Sequence, residues 1–235
     1  MNRSSAGDIM ITERKVSVFN AGCDAMVNTV NCKGIMGAGL ALEFKMRYPE
    51  LFEQYQYDCK NRKVKIGEIR KYVIDGAIIL NFPTKYDWKY PSQLSYVEKG
   101  LDYFLEHYKE WGVSTVAMPP LGCNNGQLDI NVVKKAIHDK LADIDMEVVI
   151  CEDPGYPEGK EKEMLDKLKS SNIGFLSKML KLNKKQKEAL ENNVERIKRF
   201  YELFYLEGIG EKSYEKLFRF CYEETKDSLL YTSYL

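Results

Sequence analysis

Between residues 15 and 151 the apolar positions change period repeatedly, from every second residue to every third or fourth and back. This alternation constrains the fold more than any other feature, because strand-like and helix-like segments in turn call for a sheet with helices on its faces. Residues 15–19 read as a short strand and 25–30 as a fuller apolar one. A glycine-bearing loop over 32–39 leads into a helix over 38–48, and Pro49 suits the first turn of a second helix reaching Lys60. Residues 68–74 and 77–82 are strands joined by Asp75-Gly76, a two-residue hairpin signal. A long amphipathic helix over 93–111 follows, then a strand over 114–118 that Pro119-Pro120 stops, a helix over 130–141 and a closing strand over 146–151.

Past this point the pattern changes. The stretch EDPGYPEGKEK, residues 152–162, is rich in proline, glycine and charge and reads as a connection. Beyond it only helical periodicity remains, with Leu190, Val194, Ile197, Tyr201 and Phe204 on one stripe. The expected organisation is an α/β domain over 1–153, a linker over 154–163 and a small all-helical region over 164–235.

Charge narrows the partners. Lysine plus arginine equals aspartate plus glutamate, 35 each, so no global field draws the chain to nucleic acid or a membrane, and an anionic ligand must be held by local geometry. Six cysteines are scattered without a CxxC pair or zinc spacing, which implies reduced thiols and no metal. With no signal-peptide core and no apolar run near the roughly 20 residues of a membrane span, the expected setting is cytoplasmic. Both histidines, His107 and His138, fall inside amphipathic helices and read as surface residues rather than catalysts.

The most informative stretch is DAMVNTVNCKGIMGAGLALEF, residues 24–44. A buried strand ends at Asn28-Thr29-Val30-Asn31, and a loop with Gly34, Gly37 and Gly39 then opens a helix. Glycines let the backbone approach an anion, and the free N–H groups of the helix start point at it. The spacing is neither GxGxxG nor a Walker loop. A second loop, PPLGCNNGQL with Gly122 and Gly126, follows another strand and offers further backbone donors at the same sheet edge, an arrangement suited to a diphosphate.

These segments resemble those of macrodomains. The run DAMVNTVNCKGIMGAGLALEFK, then NFPTKYDW at residues 81–88 and MPPLGCNNGQLD at residues 118–129, are similar in order and spacing to the branch with terminal ADP-ribose glycohydrolases and DarG-type DNA ADP-ribosyl glycohydrolase antitoxins. The resemblance covers roughly residues 10–151 and implies a three-layer α/β/α fold with a mixed sheet and ADP-ribose in a cleft at the strand ends. It implies Lys85 as the catalytic residue, with Asn31 at the distal ribose. A first contacting set comprises Asn28, Gly34, Ile35, Met36, Gly37, Ala38 and Gly39. Pro83, Thr84 and Trp88 flank the lysine, and Pro120, Leu121, Gly122, Cys123, Asn124, Asn125 and Gly126 enclose the ligand from the other side. No cofactor is implied.

The sequence also departs from the family. An aspartate that assists the lysine in one glycohydrolase subgroup is replaced by Gly126, which favours the DNA-directed subgroup, while Asp129 suits the cap of the next helix. Asn124 and Gln127 stand where relatives carry glycine. Ser17 occupies the position of the residue that meets adenine, unless Gly7-Asp8-Ile9 supplies it. In the helical region Gly208-Ile209-Gly210 resembles a helix-hairpin-helix turn, which would make Gly208, Gly210 and Lys212 a DNA phosphate site; the aromatic residues around it, Phe200 to Tyr222, read as a helical core.

The leading expectation is therefore an ADP-ribosyl hydrolase acting through Lys85 on ADP-ribosylated DNA, single-stranded DNA and a cognate ADP-ribosyltransferase toxin being its partners. An ADP-ribose-1″-phosphate phosphatase and a non-catalytic ADP-ribose reader are the alternatives.

Overall fold

The computed structural model describes residues 10–223. Gly7-Asp8-Ile9 lies outside them. The chain divides into two compact units, Met1–Pro154 and Gly155–Leu235.

The first unit is built on a six-stranded mixed sheet. Its strands are β1 (Ile11–Lys15), β2 (Ala25–Asn31), β3 (Arg70–Ile74), β4 (Ala77–Lys85), β5 (Thr115–Met118) and β6 (Glu147–Glu152), in the spatial order β1-β6-β5-β2-β4-β3. All neighbours run parallel except the hairpin β3–β4. Asp75 and Gly76 turn that hairpin with φ of 49° and 81°, the pair of positive values that a tight primed turn requires. The carboxyl ends of β1, β6, β5, β2 and β4 thus share one edge.

Two cores fill the space on either side of the sheet. On one face α1 (Gly39–Arg47) and α2 (Pro49–Lys60) bury Phe44, Leu51 and Tyr55 against Ile79, Ala117 and Val149. On the other, α3 (Leu94–His107) and α4 (Ile130–Lys140) bury Val97, Leu101, Phe104, Val133 and Ile137 against Val27, Leu80, Phe82, Val116 and Val148. This is the expected three-layer α/β/α sandwich.

One strand lies elsewhere than the sequence suggests. Residues 15–19 were the expected opening strand, but β1 pairs with β6 over Ile11–Lys15. This edge strand buries only Ile11, so it lacks the alternating apolar pattern, whereas Val16 and Val18 are buried from the turn that follows it. The α3 helix ends at His107, and Tyr108–Trp111 tighten into a 3-10 turn.

The second unit is helical. It holds α5 (Gly159–Ser170), α6 (Ile173–Met179), α7 (Lys184–Asn193) and α8 (Glu211–Tyr222), with 3-10 runs over Val194–Arg196 and Phe200–Tyr205. Half of the expected linker is therefore helix, since lysines and glutamates support α5 once the prolines end. The expected stripe holds for Leu190, Val194 and Ile197, which are buried, and fails at Tyr201, which is exposed. The change from α to 3-10 winding after Asn193 alters the period and rotates the later residues out of phase. Of the aromatic residues, Phe200, Tyr214 and Phe218 form the core, while Tyr201 and Tyr205 face solvent. No helix among the described residues is long and apolar enough to cross a membrane.

Candidate functional site

The sheet order decides what meets at the carboxyl edge. Strand β2 lies between β5 and β4, so the loop after β2 neighbours the loop after β5, and the end of β4 closes the other side. In the β2–β4 register Asn31 stands opposite Lys85, after a bulge at Val30/Asn31. The two residues named first from the sequence are thus set side by side by backbone pairing. The N–H of Cys32 continues the contact, donating to the carbonyls of Lys85 (3.2 Å) and Tyr86 (3.1 Å).

The Asn31 side chain organises its own loop. Its Oδ1 accepts from the N–H groups of Lys33 (2.9 Å) and Ile35 (3.4 Å), and its Nδ2 donates to the Ile35 carbonyl at 2.6 Å. Below it, the buried Tyr55 hydroxyl donates to the Asn31 carbonyl at 2.5 Å and accepts from its N–H at 3.3 Å. Sequence reasoning missed Tyr55, whose place on the apolar side of α2 marks it only as core. Past this turn Gly37, Ala38 and Gly39 are exposed. Helix α1 begins with Ala38 as its N-cap, no side-chain cap and no acidic residue in the first turn. Its first N–H groups are consequently open to an anion.

The second loop converges on the same place. A β-carbon at Gly39 would lie 2.7 Å from Asn125 Nδ2, so the two loops touch there. Lys85 Nζ reaches across to donate to the Asn125 carbonyl at 2.6 Å. Within the loop the N–H groups of Cys123, Gly126, Gln127 and Leu128 bond to the carbonyls of Pro120, Cys123, Asn124 and Gly122, which leaves those of Gly122, Asn124 and Asn125, with that of the buried Leu121, as donors. Asn124 and Gln127 hold φ of 43° and 66°, the left-handed region in which glycine is favoured, so the glycines that the resemblance led one to expect at these positions have a backbone reason.

Ser92, also missed, packs beneath this loop. It is buried, its N–H donates to the Gly126 carbonyl at 2.9 Å, and β-carbons at Gly122 or Gly126 would collide with its side chain. A β-carbon at position 126 would lie 2.4 Å from Ser92 Oγ and 3.1 Å from its Cβ, so an aspartate there would require Ser92 to shift. Asp129 is occupied elsewhere, capping α4 by accepting from the N–H groups of Asn131 and Val132.

Electrostatics single out Lys85. It is partly buried, and desolvation holds its pKa below the usual lysine value. The nearby thiols of Cys32, Cys59 and Cys123 are each pushed up to about 11 by burial, so they stay protonated and unreactive at neutral pH.

Other expected residues fall into three groups. Ile35, Asn124 and Trp88 are exposed at the edge, with Pro120 half-exposed. Gly34, Met36, Pro83, Thr84, Leu121 and Cys123 are buried and shape the walls. Asn28 is a correction: it is wholly buried three residues below the strand end, where its Nδ2 donates to Asn81 Oδ1 at 2.9 Å, so it supports the sheet instead of lining the cleft. Ser17 lies in the turn after β1 and accepts from the Phe19 N–H.

The helical unit's glycine turn is self-contained. Gly208 has φ of 96°, the Ile209 N–H donates to the Leu206 carbonyl, and the Gly210 N–H donates to Ser213 Oγ. The Lys185 stem covers Gly208 and pairs with Glu207. A 3-10 run, not an α-helix, precedes the turn. Of the three residues expected at a DNA phosphate, Lys212 is exposed, Gly208 lies under the Lys185 stem, and the Gly210 N–H already has a partner, as does the neighbouring Ile209 N–H.

Comparison with known proteins bears directly on the first unit. The Macro domain family matches residues 27–137. A curated DNA ADP-ribosyl glycohydrolase from Mycobacterium tuberculosis is 42% identical over 145 residues, 58% of this chain and 41% of that protein. The solved macrodomain of M. tuberculosis DarG is 40% identical with a TM-score of 0.59, covering 61% of this chain and 97% of that one. The chain belongs to the macrodomain family. A second macrodomain relative, from Thermosipho africanus, is a DNA ADP-ribosyl transferase–DNA ADP-ribosyl glycohydrolase fusion protein, 29% identical over 49% of this chain and 35% of its own length. The solved T. africanus DarTG in complex with ADP-ribose is 26% identical with a TM-score of 0.58, over 63% of this chain and 43% of that one. The macrodomain chain described here therefore spans less than half the length of these curated relatives.

Proposed function

We propose that this chain removes ADP-ribose from a DNA nucleobase, with Lys85 as the nucleophile. The carrying observation is the partly desolvated amine, bonded to a carbonyl in the second glycine loop and set beside Asn31 by strand register. The open first turn of α1 and the N–H groups of Gly122, Asn124 and Asn125 would hold the diphosphate, with the distal ribose at Asn31 and Lys85. The neutral amine attacks C1″ of the ring-opened sugar, forming a C–N bond. The C1″–base bond breaks, and the base departs with the electron pair and a proton. Water then hydrolyses the Schiff base, releasing ADP-ribose and restoring the amine.

The relatives named DNA ADP-ribosyl glycohydrolases support DNA as the target, and the collision between an aspartate at 126 and Ser92 argues against the protein-glutamate subgroup. The fusion relative supports a cognate transferase as partner, giving the chain an antitoxin role. Six free thiols fit a reducing, cytoplasmic setting.

The test is Lys85→Ala, assayed on ADP-ribosylated single-stranded DNA, on ADP-ribosylated protein and on ADP-ribose-1″-phosphate. Hydrolysis of the DNA substrate should fall at least about a hundredfold, while calorimetry still detects ADP-ribose binding. Because the neutral amine reacts, the wild-type rate should rise with pH through the lowered lysine pKa and level off above it. Undiminished hydrolysis by the variant would refute the nucleophile, and activity confined to the phosphate ester would refute the target.

A further inference from the structure

On the α2 side of the Asn31–Ile35 loop lies a groove of about 1100 Å³, and its lining includes Lys33, Tyr57, Lys60, Arg62, Lys65 and Tyr86. No carboxylate lines it. Of the acidic residues adjacent in sequence, Asp58 binds Arg70 at 3.0 Å and Lys63 at 3.7 Å, Glu68 binds Lys65 at 3.1 Å and offsets its charge, and Asp87, next to Tyr86, accepts from the Lys89 N–H. Lys33 stands with its ammonium 4.4 Å from the centre of the Tyr86 ring. In a chain whose charges balance at 35 each, this is a local concentration of cations.

Arg62 gives the strongest indication that the charge serves a ligand. After Asn61 closes α2, the N–H of Arg62 donates to the Cys59 carbonyl and that of Lys63 to the Asp58 carbonyl, the paired bonds of a glycine-type helix terminus. The residue at the left-handed position, however, is arginine, with φ of 57°. Backbone geometry favours glycine there, and the exposed guanidinium lines the groove. Lys60 also suits the negative end of α2, so the argument rests first on Arg62 and Lys33.

The groove adjoins the candidate site through shared chain: Cys32, Lys33 and Gly34, which line it, belong to the turn that Asn31 organises, and Tyr86 lines it next to Lys85. Tyr86 follows Lys85 directly, and alternation along the strand end sends the lysine toward the second glycine loop and the tyrosine toward Lys33. Tyr57 and Tyr86 are 62% and 58% exposed, which leaves ring surface for stacking beside the cations. Cations interleaved with accessible aromatic rings in a concave channel are the chemistry by which proteins track a single nucleic-acid strand.

We propose that this groove holds the phosphate backbone of the DNA strand that carries the ADP-ribosyl group, leading it away from Lys85 past Tyr86. The proposal rests on the hydrolase reading above and assigns the strand a location.

Fluorescence anisotropy with an unmodified single-stranded thymidine oligonucleotide and the full chain tests it. Lys60→Glu combined with Arg62→Glu should weaken oligonucleotide binding at least about tenfold and flatten the log–log salt slope by roughly 1.4, about 0.7 for each phosphate contact. ADP-ribose affinity by calorimetry should stay within about twofold. Arg62→Gly should melt at the same temperature or higher yet bind the oligonucleotide more weakly, separating ligand binding from folding. Unchanged oligonucleotide affinity in both variants would overturn the proposal, as would tighter binding of wild type to phosphatidylglycerol vesicles than to the oligonucleotide. A wild type that binds the strand through these residues but hydrolyses nothing would refute the hydrolase reading alone.

Discussion

The amine of Lys85 meets a carbonyl of the second glycine loop, while Asp87, two residues on, accepts from the Lys89 N–H and Asp129, after that loop, caps α4. Among the described residues no ion pair holds this amine, and partial burial lowers its pKa although it donates to the Asn125 carbonyl. Its neighbour Gly126 is equally constrained, since a β-carbon there would strike the Ser92 side chain and lie 3.9 Å from Lys85 Cε. Gly126→Ala is expected to cost about 1–3 kcal/mol by overpacking and to slow hydrolysis by moving the Asn125 carbonyl. Adding Ser92→Gly should restore much of both, as urea melts and turnover measurements would reveal; strictly additive losses would mean that the two residues do not share one space. Lys85 was legible only through the family resemblance that Pro83, Thr84 and Trp88 carry, since a lysine at a strand end has by itself no catalytic sign. Tyr55 and Ser92 were not, because a tyrosine on an apolar helix face and a serine before a helix carry no sign that they fix a loop distant in sequence.

Among the elements, β4 does most to position the chemistry, and α3 fixes β4 from behind. The closest approach is Gly100 on Phe82, where a β-carbon would overlap the ring. Gly100→Ala should therefore destabilise by about 2–3 kcal/mol, read as a lower denaturation midpoint, whereas a change below about 0.5 kcal/mol would mean that helix and strand separate easily. Helices α1 and α2 and the β3–β4 turn were readable almost to the residue, since Pro49 and Asp75-Gly76 are local signals with local causes. The outer strand ends shifted: β3 starts at Arg70 instead of 68, and β4 runs on through Pro83 to Lys85 instead of ending at 82. β1 was misread by four residues because pairing with β6, not its own apolar pattern, makes it a strand. The later helical turns escaped for a related reason: their winding changes from α to 3-10, and a constant period cannot describe both.

At the scale of the molecule, two compact units divide after Pro154. Both glycine loops, Lys85 and the cationic groove belong to the first. A chain ending at Pro154 is accordingly expected to bind ADP-ribose within about twofold of the full chain by calorimetry; a larger loss would assign ligand contacts to the helical unit. The pairing of β2 with β4 carries one more consequence. Asn31 and Lys85 become neighbours only when strands far apart in sequence align, and the Asn28–Asn81 rung lies buried between the same two strands. On the proposed reading, a nascent polypeptide still lacking β4 has no Lys85 amine beside Asn31, so hydrolysis would begin only after β2 and β4 have paired. Recovery of hydrolysis after dilution from denaturant would then lag or coincide with that pairing and never precede it.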